Sequence, residues 1–117
     1  MRELLERRAS DAAAREAVEL YIYQLRKHLG ALVATLGGLD YLVFTGGIGE
    51  NSGVIRNELC EKLRYLGVNL LDDLNDKSDA VISDNTSSIT VWVVHTNESL
   101  MLARHAFDTV NHITTVA

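Results

Sequence analysis

A bulky apolar run, Tyr41-Leu42-Val43-Phe44-Thr45, gives way without a spacer to Gly46-Gly47-Ile48-Gly49-Glu50-Asn51, and a helix-patterned segment begins at Ser52. Strand, glycine turn and helix start in that order bring backbone N–H groups and a helix dipole against a nucleotide. Glycine at the turn lets the chain reverse sharply and lets a ligand approach the backbone with no Cβ in the way.

Outward from that junction, apolar spacing organises the rest of the chain. Leu4 and Leu5 form a short helical turn ending near Ala9 to Asp11, where Ser10 or Asp11 can cap the next helix. From Ala12 the apolar positions Ala14, Val18, Tyr21, Ile22, Leu25, Leu29, Leu32, Val33 and Leu36 recur every three or four residues. They predict one long amphipathic helix, stopped by Gly37-Gly38. Asp40 to Thr45 reads as a buried strand, and Ile55, Leu59, Leu63 and Leu66 give a second helix with Gly67 as its stop.

Val68 to Leu71 is a candidate brief strand, and Asp72 to Ser88 reads as a loop with an edge strand around Ala80-Val81-Ile82. Ile89 to Val94 is the clearest strand, apolar on both faces as a central parallel strand should be. Thr96 is expected to cap a last helix carrying Leu100, Leu102, Ala103, Ala106, Phe107 and Val110, with a frayed tail from Asn111 to Ala117. Helices alternating with buried strands predict an α/β layered domain with a mainly parallel sheet. In such sheets ligands lie beyond the carboxyl ends of the strands, here after Phe44 and after Val94.

Composition narrows the function. With 117 residues the chain holds one domain and a modest core. Its 11 basic and 16 acidic residues argue against an electrostatic nucleic-acid binder, so any phosphate must be held locally. The stretch Leu29 to Leu39 is too short to span a membrane, which takes about 20 residues. The N-terminus lacks the apolar core of a signal peptide. Cys60 is the only cysteine, which excludes an internal disulfide and points to a reducing, cytoplasmic setting, with the thiol in or near the core.

Several chemistries fit the junction from residues alone. A dinucleotide fingerprint would read Gly47-Ile48-Gly49-Glu50-Asn51-Ser52, with Ser52 where a third Gly or Ala belongs and Asp72 or Asp73 as the ribose acid. The Lys and following Ser/Thr of a P-loop are missing. A ligand-free tight turn also satisfies the residues. At the second strand end, Thr96-Asn97-Glu98 reads either as a helix cap or as a place for a hard oxygen ligand to Mg2+. His28, His95, His105 and His112 show no metal-binding spacing, although His95 lies where it could line the crevice.

Together with Val54-Ile55-Arg56, Leu66-Gly67-Val68, Thr96-Asn97-Glu98 and Met101-Leu102-Ala103-Arg104, the run Leu42 to Ser52 resembles the C-terminal part of the acetate kinase family, which includes similar propionate and butyrate kinases. The resemblance extends in register from Met1 to about Asp108. It implies a ribonuclease-H-like three-layer α/β domain with a mainly parallel sheet, incomplete here, of the superfamily that also holds sugar kinases, heat-shock ATPases and actin. It also implies reversible phosphoryl transfer between ATP and a short carboxylate, giving ADP and an acyl phosphate, with Mg2+ as cofactor.

Carried over onto this sequence, Gly47 with Gly46, Ile48 and Gly49 matches the loop lying against the adenosine. Asn51 matches a residue of the adenine pocket, and Arg2 the arginine of an adenine-side segment reading Ser-Asp-Met/Phe-Arg. Glu98 matches the acid associated with Mg2+, but Ser99 follows it where a second Glu is common, and His95 stands where proline is usual. The family's catalytic arginines, phosphate-positioning histidine and carboxylate pocket lie in a preceding portion that this sequence does not contain.

The resemblance therefore implies that residues 1–117 are the C-terminal part of the second, adenosine-binding domain, with the N-terminal domain absent and no catalytic residue in the fragment. Such a fragment is expected to be inactive by itself, cytoplasmic and homodimeric or oligomeric, with nucleotide as its ligand. A short-chain carboxylate would bind only in the intact enzyme, and neither nucleic acid nor membrane is an expected partner. A non-catalytic nucleotide-binding or dimerisation module is the alternative.

Overall fold

The computed structural model describes residues 1–116. Helix α1 (Arg2–Arg7) leads into α2 (Ala12–Leu36), followed by strand β1 (Tyr41–Phe44), α3 (Gly46–Asn51), α4 (Gly53–Lys62), a 3-10 turn (Arg64–Leu66), α5 (Asp72–Asp76), strand β2 (Thr90–Val93) and α6 (Glu98–Val116). β1 and β2 pair in parallel, with Leu42 opposite Val91 and Phe44 opposite Val93. On its other side β2 meets the segment around Val81 in an antiparallel bridge, and Ser83 bridges to Leu70. The architecture is mixed α/β with a small parallel sheet, as the alternating pattern predicts.

Each long helix begins where a side chain can accept its free amides. Asp11 caps α2 by accepting from Ala13 N at 3.0 Å and Ala14 N at 3.3 Å, and the Arg7 guanidinium is paired with the same carboxylate. Ser52 caps α4, its Oγ 3.3 Å from Ile55 N. At the far end, the chain after α4 stops at Gly67, whose φ of 93° lies in the left-handed region.

The core lies on one face of the sheet. Leu42, Val91 and Val93 pack there with Leu59, Cys60 and Leu63 of α4 and with Val68, Ile82 and Ile89. A second cluster, Val18, Ile22 and Ile55, joins α2 to α4, and Leu4, Leu5 and Ile48 pack against it. An ion pair from Arg8 to Glu58 at 2.6 Å fastens the end of α1 to α4. Cys60 is buried, and desolvation pushes its thiol up to about 12, so it is an inert core group.

The structure departs from the sequence pattern at several elements. The glycine hexapeptide is itself helical, not a turn, with only Gly46 among its glycines at positive φ, 75°. Asp72–Asp76, read as loop, is a short helix held by tertiary contacts of buried Asn75. Asn97, not Thr96, caps α6, accepting from Leu100 N at 2.9 Å, because Thr96 is engaged elsewhere.

The tail from Asn111 is helical to Val116, and Ala117 lies outside the described residues. Nor is β2 buried on both faces: Trp92 and the following Val94 are exposed, as are Tyr41 and Val43 beside them. The apolar stripe of α2 likewise runs out of cover, leaving Leu32 and Leu36 exposed. Among the described residues no helix is long and apolar enough to cross a membrane.

Candidate functional site

Both parallel strands end at the same edge of the sheet, and the last backbone rung between them is Val94 N to Phe44 O at 2.9 Å. Beyond it the left-handed Gly46 turns the chain from β1 into α3, while β2 continues through His95 and Thr96 towards α6. The carboxylate of Glu50 occupies the gap. Its Oε1 accepts from Gly46 N at 2.9 Å, Thr96 N at 2.8 Å and Thr96 Oγ1 at 2.9 Å, and its Oε2 lies 3.3 Å from His95 Nδ1. These bonds, those from Thr96 first, hold the Glu50 carboxyl at a pKa of about 2, so it is ionised at neutral pH. The first amide of the glycine helix is therefore satisfied inside the protein.

The opposite end of α3 is held by Arg56, which is fully buried. Its Nη1 donates to Gly49 O at 2.8 Å and Glu50 O at 2.9 Å, its Nη2 to Asn75 O and Ser78 Oγ, both at 2.8 Å, and its Nε to Asn75 Oδ1 at 2.7 Å. A carboxylate at the amide end and a guanidinium at the carbonyl end complement the peptide dipoles of α3. Burial lowers the Arg56 pKa, yet a guanidinium starts high enough to remain charged.

The outer side of α3 lines an open cleft of about 690 Å³ whose other wall is α1. Arg2, Gly47, Ile48 and Asn51 all lie on it, and Met1, Leu5 and Glu6 line the α1 side. Asn51 Nδ2 donates to Gly47 O at 2.8 Å, which fixes the amide against the helix it belongs to. No atom lies within 4 Å of where a Cβ on Gly47 would stand, so a side chain there would project into open space.

Gly46 and Gly49 are not on the cleft: one makes the turn out of β1 and the other packs against Phe44. Glu98 is exposed in the first turn of α6. No cluster of three or more His, Cys, Asp or Glu side chains able to hold a metal ion occurs among the described residues.

Two residues that organise this site, Glu50 and Arg56, belong to the motif runs but have no role assigned to them by the motif. Glu50 stands inside the motif, and its spacing from Gly46 is that of two residues stacked on one helical face. That signal becomes visible only once the glycine segment is recognised as helix. Arg56 gives no such signal, because its partners Asn75 and Ser78 are remote in sequence.

A parallel strand pair that leads at its carboxyl ends into a glycine helix on one side and a carboxylate-bearing helix on the other defines a mixed α/β protein. Residues 1–104 match the Acetokinase family, and the chain belongs to that family.

Among its relatives, the acetate kinase of Coprothermobacter proteolyticus is 42% identical over 107 residues, covering 91% of this chain and 27% of that protein. The acetate kinase of Rhodopseudomonas palustris (strain TIE-1) is 46% identical over 109 residues, again covering 27% of the relative. Among solved structures, the Entamoeba histolytica acetate kinase superposes with a TM-score of 0.82 at 30% identity, over 92% of this chain and 30% of the other. A propionate kinase from Francisella tularensis gives a TM-score of 0.78 at 36% identity, over 87% of this chain and 27% of the other. The chain thus spans roughly a quarter of the length of the relatives it matches.

Proposed function

We propose that this chain is the adenosine-side portion of a short-chain carboxylate kinase, within the second ribonuclease-H-like domain of a cytoplasmic enzyme. That enzyme reversibly phosphorylates acetate or propionate with ATP and Mg2+. The observation that carries the reading is the convergence of Arg2, from α1, with Gly47, Ile48 and Asn51, from α3, on one cleft. In this reading Arg2 and Asn51 bracket the adenine, and Gly47 lets the nucleoside lie against bare backbone. Glu98 supplies one carboxylate to a Mg2+ whose other partners are phosphate oxygens and water.

The nucleotide supplies the transferable phosphoryl group, and this chain holds only its adenosine end. Phosphoryl transfer depends on positioning and on cancelling charge at the transferring group, so a chain without the opposite wall is inert by itself. Calorimetry with ADP and Mg2+ tests the cleft. Wild type should bind, and Gly47→Val should weaken binding by tenfold or more, because its side chain enters the cleft without meeting a protein atom. Equal heats from the two proteins would overturn the cleft as the nucleotide site, and acyl phosphate formed by the purified chain from ATP and acetate would overturn its inertness.

A further inference from the structure

Glu50 stands apart in this fold because it joins two chain segments past the point where the sheet stops joining them. After the rung between Val94 and Phe44, no backbone hydrogen bond among the described residues links the two strand continuations, which carry the glycine helix and α6 respectively. The Glu50 side chain is 12% exposed, and it takes an amide from each continuation, Gly46 N and Thr96 N, on the same oxygen. Residues 98–113 of α6 are all exposed, so little packing fixes where that helix begins. Its first turn is placed mainly through Thr96, two residues before Glu98.

We propose that Glu50 is a positioning residue that straps the start of α6 to the glycine helix, and so sets the place of Glu98 relative to the adenosine cleft. The proposal rests on the nucleotide reading above and adds to it a residue that touches neither nucleotide nor metal. A carboxylate suits the task. It accepts several bonds at once, and bonds to an ionised acceptor are about twice as strong as neutral ones. Thr96 contributes both its amide and its hydroxyl, which fixes the direction of the chain as well as its distance. His95 adds a contact to the second oxygen from the same segment. With the strap in place, nucleotide bound along α3 and metal bound at Glu98 are coupled. Without it, each half of the site persists but their spacing is lost.

The test compares wild type, Glu50→Ala, Glu50→Gln and Glu50→Met by amide hydrogen exchange and by ADP binding with and without Mg2+. In Glu50→Ala, exchange at Gly46 and Thr96 should accelerate by about tenfold or more while Leu42 and Val91 in the core keep their protection. The tightening of ADP binding by Mg2+ should fall to a ratio near one. Glu50→Gln keeps an acceptor oxygen and should restore most of both effects, whereas Glu50→Met, which fills similar space without an oxygen acceptor, should behave as Glu50→Ala does. Unchanged exchange at Thr96 in Glu50→Ala, or an undiminished Mg2+ effect, would overturn the strap. A wild type that binds no ADP would overturn the nucleotide reading and the positioning role with it. That outcome is distinct from failure of the strap alone, in which all four proteins bind ADP with the same Mg2+ dependence.

Discussion

Arg56 is fully buried with no carboxylate among its hydrogen-bond or ion-pair partners in the described residues, a costly arrangement unless every donor is met. It is met here by carbonyl, amide and hydroxyl oxygens, and the described residues include no buried side-chain nitrogen or oxygen without a partner. Ser78 adopts a positive φ of 52° next to α5, a conformation few side chains favour, and its Oγ reaches the guanidinium from there. Replacing Arg56 with methionine fills similar space but strands the oxygens of Gly49, Glu50, Asn75 and Ser78. The expected cost is about 3–5 kcal/mol, because several oxygens lose a charged donor together and each buried one left unsatisfied costs about 1–3 kcal/mol. Ser78→Ala, which removes one bond, should cost about 1 kcal/mol. Urea unfolding measures both, and an Arg56→Met midpoint equal to that of Ser78→Ala would show that the network is not what anchors α3 and α5.

At the scale of elements, α2 and α4 were legible because their apolar residues recur at helical spacing, and the two strands because each is a short, unbroken apolar run. Apolar pattern could not reveal α3 or α5. Glycine costs about 1 kcal/mol per helical position relative to alanine, so Gly46–Asn51 has no local preference for helix. It is helical because Glu50 and Arg56 hold its two ends. Likewise α5 is five polar and apolar residues with no stripe, made stable by Asn75 bonding to Arg56 and to Gly53 O at 2.8 Å. The same contrast between local and tertiary cause separates two other glycines. Gly30 lies within α2 with nothing within 4 Å of where a Cβ would stand, so Gly30→Ala should raise stability by about 0.5–1 kcal/mol through helix propensity. At Gly67, φ is 93° and a Cβ would stand 2.7 Å from Ser88 Oγ, so Gly67→Ala should lower stability by about 1–3 kcal/mol. Thermal unfolding of the two variants should move in opposite directions, and a shift of the same sign in both would refute the distinction.

Across the whole molecule, the radius of gyration is 18.2 Å, against about 13–14 Å for a compact domain of this length. The apolar residues of α6 and of the end of α2 are exposed, and the sheet has cover on one face only. The glycine motif was legible in the sequence because its residues are consecutive, whereas the cleft it lines also needs Arg2, which only the fold brings near. Apolar pattern alone misjudged burial, because it marks a face as suited to cover without supplying the layer that covers it.

The edge of β1 carries the sharpest consequence. Asp40 O and Phe44 O accept from the β2 side, so the backbone groups of the alternate residues Tyr41 and Val43 point away from it. Both side chains are exposed, and an apolar strand with an open edge recruits other strands. Sedimentation of the isolated chain through a dilution series should therefore show reversible self-association. Val43→Lys places a charge on that edge and should shift the distribution to monomer while changing stability by less than about 0.5 kcal/mol, as expected for an exposed site. If Val43→Lys associates as strongly as wild type, the contact is made elsewhere, and the exposed apolar residues of α6 become the surface to mutate next.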